Sequence, residues 1–357
     1  MARIALDASY TLGAHPTGSA TYSRRLIESL AQLDTSHDFL ICYRMSRLRK
    51  LREFLRPAGT MTRLITPWLA WRTDLFHSLA QRSPKYRFRR EIVTIHDIFP
   101  ITGRRYSTPE YQRKFAAVLR EAAARAHRVI TGSYATARLL ESECGVEPER
   151  IRVTPYGVDM PAKTITAAER RRFRERLVGP GNEMLLSVGM LETRKNVLTS
   201  LRALKLLSPL YHLVLAGGNG FGHEAIHAFI RGEKLEDRVR LLGYVPGGML
   251  PELYQSATVF LFPSFEEGFG FPVLEAMAHE LPVVTSPTSS LPELGGDAAL
   301  YADPNDPSAI ASQVVRAVES PEIRGRMIAR GVARAREFTW RRTAEQTLAV
   351  YEELLSG

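Results

Sequence analysis

Twice along its 357 residues the chain runs through the same alternation: a short apolar segment, then a longer one with apolar positions at helical spacing. That alternation constrains the fold more than any other feature. Strands of a parallel sheet covered on both faces read as continuous apolar runs, and the helices between them carry the chain back to start the next strand. In the first half, Arg3–Asp7, Phe39–Tyr43, Leu75–Ser78, Ile92–His96, Arg128–Thr131 and Ile151–Thr154 read as strands, with helices over 18–33, 46–55, 108–126 and 134–144. Residues 155–183 break the rhythm: Pro155-Tyr-Gly-Val-Asp159 leads into a charged helix around Glu169–Arg176 and then Gly179-Pro-Gly-Asn182. It restarts with strands Met184–Val188, His212–Ala216, Val239–Leu242, Thr258–Phe262 and Pro282–Thr285, and 307–355 is mostly helical. The expected architecture is α/β, with two Rossmann-like, doubly wound domains over 1–160 and 161–339 and a final helix over 340–357.

Charge is divided unevenly between these halves. Residues 1–160 hold 26 Lys+Arg against 15 Asp+Glu, an excess of 11, whereas 161–357 hold 22 against 23. Two basic clusters stand out: Arg47-Leu-Arg-Lys-Leu-Arg-Glu-Phe-Leu-Arg56, with Leu48, Leu51 and Leu55 at helical spacing, and Lys85-Tyr-Arg-Phe-Arg-Arg90. Such a half suits an anionic membrane surface or a polyanionic acceptor; the alternative is a solvated arginine-rich surface. No run of about 18 apolar residues occurs, and the first residues lead straight into a strand with no apolar signal core. Cys42 and Cys144 show no metal-ligand spacing. These features predict a cytoplasmic location, with the basic half in peripheral contact with the inner face of the membrane.

The chemistry-bearing residues gather at the ends of strands. Ser264-Phe-Glu-Glu-Gly-Phe-Gly-Phe-Pro-Val-Leu-Glu-Ala-Met-Ala278 follows an apolar strand with a glycine-rich turn and then a helix. That order presents backbone N–H groups and a positive helix end to an anionic ligand. Glu267 and Glu275, eight positions apart, can take hydroxyls of a sugar or ribose. The neighbouring Glu266 is expected to be exposed or supporting. Arg194 and Lys195 follow strand Met184–Gly189, where open α/β sheets bind ligands, and pair a planar donor fork with a point charge. Gly220-Phe-Gly-His-Glu-Ala225 satisfies the dinucleotide pattern G-x-G-x-x-A, but the next strand ends Leu241-Leu-Gly-Tyr244 with no carboxylate for a ribose. In the first half, His96 and Asp97 end a buried strand. The loop Gly13–Arg24 follows the first strand, and Gly18 and Ser19 open its helix.

As a whole the chain resembles the group 1 glycosyltransferases, family 4 of the retaining enzymes. The likeness rests on Val188-Gly-Met-Leu-Glu-Thr-Arg-Lys-Asn196, Leu242-Gly-Tyr-Val245, Leu253-Tyr-Gln-Ser-Ala257, the 262–278 run, Leu281-Pro-Val-Val-Thr-Ser286 and Phe338-Thr-Trp340. The resemblance implies the GT-B fold: two Rossmann-like domains facing a central cleft, the last helix crossing back to the first domain, with the acceptor on the first and a nucleotide sugar on the second. By motif it makes Glu267, His96, Arg194 and Lys195 the catalytic set. Glu275 on the ribose, with Gly268, Phe269, Gly270, Phe271, Gly18 and Gly189, would bind the donor; Asp97 and Ser19 would meet the acceptor. Thr17-Gly18-Ser19 departs from the two glycines common in the family.

The implied reaction is a retaining, front-side transfer of a hexose to an oligosaccharide or polyprenyl-linked glycan in cell-surface polysaccharide synthesis, with no metal and no cofactor. The His96–Pro100 segment resembles bacterial mannosyltransferases and inclines the donor to GDP-mannose, with uracil-linked sugars next. No nucleic-acid partner is expected. An epimerase or phosphorylase on the same fold is a further enzymatic reading, and no lysine stands where a pyridoxal phosphate would need one. The alternative from another class is a carbohydrate- or polyanion-binding protein on the same scaffold without catalysis.

Overall fold

The protein is described by a computed structural model over residues 1–12, 17–102, 106–246 and 248–357, the side chain of Leu51 excepted. Of the loop read from sequence as Gly13–Arg24, Gly13–Pro16 lie outside the described residues. The chain divides into two units: Met1–Arg104, Thr108–Gly157 and Phe338–Gly357 form one, Arg105–Ser107 and Val158–Glu337 the other.

Among the described residues, the first unit is built on a seven-stranded parallel sheet. Its strands are β1 (Arg3–Asp7), β2 (Asp38–Tyr43), β3 (Met61–Leu64), β4 (Leu75–Ser78), β5 (Glu91–Thr94), β6 (Arg128–Thr131) and β7 (Ile151–Val153), in the order β3-β2-β1-β4-β5-β6-β7. The second unit carries β8 (Glu183–Val188), β9 (Tyr211–Ala216), β10 (Val239–Gly243), β11 (Val259–Phe262), β12 (Val283–Thr285) and β13 (Ala299–Tyr301), in the order β10-β9-β8-β11-β12-β13. Both sheets are doubly wound. Each reverses direction once, between β1 and β4 and between β8 and β11, and such reversals leave a crevice at the strands' C-terminal ends.

Burial explains why most of these strands are apolar throughout. Leu185, Leu213, Val259, Leu261 and Val284 of the second sheet lie under Val197, Leu201, Leu204, Ile310 and Val314 of the covering helices, all buried. The edge strand β3 differs: Met61 and Arg63 are exposed, and no apolar run marks it in the sequence. Residues Met45–Glu53 form a 3₁₀ segment interrupted at Lys50, and Leu48 is exposed. The amphipathic α-helix expected over 46–55 is therefore not formed. Leucines at helical spacing acted as a misleading signal, with one of them facing water.

The helix Trp340–Ser356 belongs to the first unit and packs beside the helix Gly18–Leu30. Its Tyr351 hydroxyl bonds His77 Nδ1 at 2.6 Å, and His77 Nε2 meets Thr94 Oγ1 at 2.8 Å, all fully buried. Glu353 takes Arg128 and Arg152 at 2.7 and 2.6 Å. Thr343 donates to the Pro155 carbonyl. Gly157, where the chain leaves this unit, lies against the returning backbone: a Cβ there would sit 2.3 Å from the Trp340 nitrogen.

Candidate active site

The loops after β8 and β11 flank the reversal of the second sheet, and there Arg194, Lys195 and Glu267 come into direct contact. Glu267 Oε2 lies 2.8 Å from an Arg194 terminal nitrogen and Oε1 lies 2.8 Å from Lys195 Nζ. Arg194 also pairs with Glu192 at 2.6 Å and donates to the Glu266 carbonyl at 2.6 Å. Lys195 Nζ stands 4.5 Å from the centre of the Phe262 ring. Two cations thus face two carboxylates in a largely enclosed cluster. Burial alone would raise the Glu267 carboxyl, but Arg194 and Lys195 outweigh it and hold the pKa down to about 2.

The backbone of this cluster is braced from three directions. Gly189, at φ 137°, leaves room for Lys195; a Cβ there would lie 3.1 Å from Lys195 Cε. The glycine-rich turn after β9 packs against the loop after β8. It ladders onto that loop through Leu191 N to Gly218 O, Gly220 N to Leu191 O and Thr193 N to Phe221 O, each at 2.8 or 2.9 Å. The approach at Gly217 is so close that a Cβ would sit 1.9 Å from the Gly189 carbonyl oxygen. Asn196, left-handed at φ 56°, joins the two loops: its amide donates to Pro263 O and Pro304 O, and its oxygen accepts from Thr199.

A third brace comes from the Thr288-Ser289-Ser290 turn after β12. Ser289 Oγ accepts from the Glu267 amide, and Ser290 Oγ donates to the Glu267 and Phe269 carbonyls. Beyond it, Gly270, at φ 108°, caps the helix Phe271–Ala278, and a Cβ there would lie 3.1 Å from Leu291 and 3.2 Å from Leu294. Gly268 and Phe271 are half-buried, and Phe269 is buried. Glu266 is buried as well; of the two expectations, exposed or supporting, the first does not hold.

Glu275 is half-buried one turn further along this helix, and Tyr254 donates to its Oε2 at 2.7 Å. Burial raises its carboxyl above the usual range and nearby Asp159 adds to the rise, against the Tyr254 hydrogen bond and the charge of Lys195. Lys195 therefore acts on both glutamates of the eight-residue pair.

The first unit positions the other predicted residues around its own reversal. His96, just past β5, is half-buried, with Nε2 3.0 Å from the Leu79 carbonyl and Nδ1 2.9 Å from the Tyr156 hydroxyl. A carbonyl only accepts, so Nε2 carries the hydrogen and Nδ1 accepts from Tyr156. Burial lowers the imidazole pKa to about 4, against the opposing Leu79 bond, so the ring is neutral at neutral pH. Both ring nitrogens are thus engaged within the unit. A sugar hydroxyl would have to exchange with one of these partners. Asp97 is half-buried beside it. Thr17 caps the helix at Gly18, its Oγ1 3.0 Å from Ser19 Oγ; Gly18 is exposed and Ser19 half-buried.

Sequence reading found Arg194, Lys195, Glu267 and Glu275 but not the residues that hold them. Glu192 and Tyr254 stand inside the quoted 188–196 and 253–257 motifs and Tyr156 inside 155–159, yet none had a role assigned, and Ser289 and Ser290 lie outside every motif.

With this geometry in hand, the chain matches the family of Glycosyl transferases group 1 over residues 169–334 and Glycosyltransferase Family 4 over 16–160. It is 31% identical to O-antigen chain mannosyltransferase B of Escherichia coli over 341 residues, covering 92% of this chain and 88% of that protein. Among solved structures, sucrose-phosphate synthase of Thermosynechococcus elongatus superposes at a TM-score of 0.81 with 20% identity, covering 100% of both chains. HepE of Anabaena with UDP and glucose superposes at 0.78 with 18% identity, covering 99% of this chain and 100% of that one. At such identities the structural likeness is one of fold.

Proposed function

This chain belongs to the group 1 glycosyltransferases and has the GT-B fold, and we propose that it moves a hexose, with retention, from a nucleotide sugar to a glycan acceptor in polysaccharide synthesis. Mannose from GDP-mannose is the preferred donor. The E. coli mannosyltransferase relative supports the sugar, and the UDP-bound structural neighbour keeps uracil-linked donors in the comparison. The observation that carries the reading is the Arg194–Glu267–Lys195 cluster at the reversal of the second sheet.

In this reading the diphosphate takes the Arg194 guanidinium and Lys195 ammonium. These donors are already fixed and face the oxygen on which charge grows as the sugar departs. Fixed donors of this kind are worth about 3–4 kcal/mol each. Their positive charge makes the transfer independent of a metal ion. Glu267, relieved of part of its pairing, accepts hydroxyls of the donor sugar. The step proposed is a front-side one, in which the leaving phosphate oxygen receives the acceptor's proton and Glu267 forms no covalent bond to the sugar. Glu275, with one oxygen fixed by Tyr254, turns its carboxylate to the ribose. The first unit takes the acceptor near Asp97 and Ser19, and His96 orients the donor sugar once it exchanges a ring partner.

Hydrolysis and transfer measured with GDP-mannose, UDP-glucose and UDP-N-acetylglucosamine, with and without a chelator, test the proposal. GDP-mannose should turn over fastest, unaffected by chelation, and the product linkage should keep the donor's anomeric configuration. Binding of donors without turnover on any acceptor would instead favour a non-catalytic binding protein.

A further inference from the structure

The five-residue helix Pro67–Trp71 in the first unit turns two tryptophans to solvent, Trp68 at 76% and Trp71 at 87% exposure, whereas Trp340 is 8% exposed. Between them Leu69 is buried with Phe76 and Phe88, and Thr73 Oγ1 bonds the Leu69 carbonyl, so the helix is anchored and the indoles project. Beside Trp71 opens a recess of about 870 Å³ that it shares with exposed Arg72, Arg87 and Arg89. Asp38 and Asp74 also line it, and Asp74 accepts from the Arg3 amide at 2.8 Å. Met61 and Arg63 are exposed on the adjoining edge strand β3.

Trp71 and the recess lie at the N-terminal ends of the strands: the recess touches the residues that open β1 and β2 and those just before β4 and β5. Every strand pairing in the sheet is parallel, so His96, just past β5, occupies the opposite rim. Within this unit the recess and Trp71 are therefore at the opposite rim of the sheet from His96 and Asp97.

We propose that the Trp68–Trp71 ridge and its surrounding arginines form a docking face for an anionic phospholipid bilayer. Indoles partition to the boundary between headgroups and acyl chains, where an apolar body and a polar N–H are both accommodated. Arginines at the same level are drawn to anionic headgroups. The charge agrees, since the positive excess of the whole chain lies in residues 1–160. This site differs from the 47–56 stretch because it couples two projecting indoles to Arg72, at the end of their own helix, and to Arg87 and Arg89 of the 85–90 cluster across the recess.

Sedimentation with phosphatidylglycerol-containing vesicles, compared with pure phosphatidylcholine, tests the face directly. Wild type should bind the anionic vesicles at low salt and release as salt rises, because screening shortens electrostatic reach to about 10 Å at 0.1 M. Brominated acyl chains should quench its tryptophan emission. In W68F/W71F, where Trp340 is the remaining indole, that quenching should disappear. The R72S/R87S/R89S variant should bind about 100-fold more weakly, and donor hydrolysis should be unchanged in every variant, which separates this test from that of the catalytic reading. Equal sedimentation with both lipids, or no quenching in wild type, would overturn the proposal. So would a dimer that W68A/W71A converts to monomer without altering vesicle binding, since a second copy would then cover the ridge.

Discussion

Glu267 concentrates several constraints in one side chain. It bridges Arg194 and Lys195, its amide and carbonyl are gripped by Ser289 and Ser290, and it sits 8% exposed. Removing one partner of a buried ion pair typically costs about 3–5 kcal/mol, because the other charge is left uncompensated. Glu267→Ala should therefore lower stability as well as nearly abolish transfer, and Glu267→Gln, which keeps the shape but leaves the same two cations uncompensated, should also melt lower. Transfer at the wild-type rate in a folded Glu267→Gln protein would remove the carboxylate from the chemistry. Acid sensitivity has a different origin. Burial lowers His77 to about 3, with a contribution from His96, and lowers His96 to about 4, from an ordinary value of 6.5. Below pH 6.5 the unfolded chain takes up protons that the folded one refuses, so stability is full above 6.5 and falls as pH drops towards these values. For His96 alone the loss amounts to about 3 kcal/mol once its folded pKa is passed. Urea midpoints at pH 7.5, 6 and 5 should decline in that order; a flat profile from 7.5 to 5 would contradict it.

Among elements, the loops after β8 and β11 behave as one piece because Asn196 bonds both. Asn196→Ala would leave the Pro263 and Pro304 carbonyls without their donor and place alanine in a left-handed conformation. Each buried group left unpaired costs about 1–3 kcal/mol. The variant should melt lower, and kcat should fall more than the donor KM rises, because Arg194 and Lys195 lose their aim; unchanged kcat and melting temperature would show the loops are held otherwise. These elements also mark what the sequence could reveal. Strands such as β9, buried along its length from Tyr211 to Ala216, announce themselves as apolar runs. The exposed edge β3 carries no such run and was overlooked, and so was β13, only three residues long within the apolar run Ala298–Ala302. Arg194, Lys195 and Glu267 were legible because motif spacing ties them to strand ends. The Ser289–Ser290 brace was not, since it reaches Glu267 from another strand's loop across 22 or 23 residues.

At the scale of the whole molecule, the first unit is assembled from both ends of the chain. Cutting after Glu337 would take away Tyr351 and Glu353 and bare the face of the helix Gly18–Leu30 that Trp340–Ser356 covers. Such a truncation should yield a protein whose second unit still folds, as far-UV circular dichroism and limited proteolysis would report, while the first is readily digested. Equal protease resistance of both units would mean the terminal helix is dispensable. Tyr351→Phe isolates one bond of this closure and should cost about 1 kcal/mol in urea unfolding.

The bond between His77 and Tyr351 spans 274 positions and also sets an order of events during synthesis. Domains usually fold as they emerge, the N-terminal one first. Here the earliest-made half must wait, lacking its last helix, while 180 residues of the second unit, Val158–Glu337, leave the ribosome and can complete their own sheet. The nascent protein would thus mature back to front, its earlier-made sheet sealed only when the helix Trp340–Ser356 has followed the second unit out.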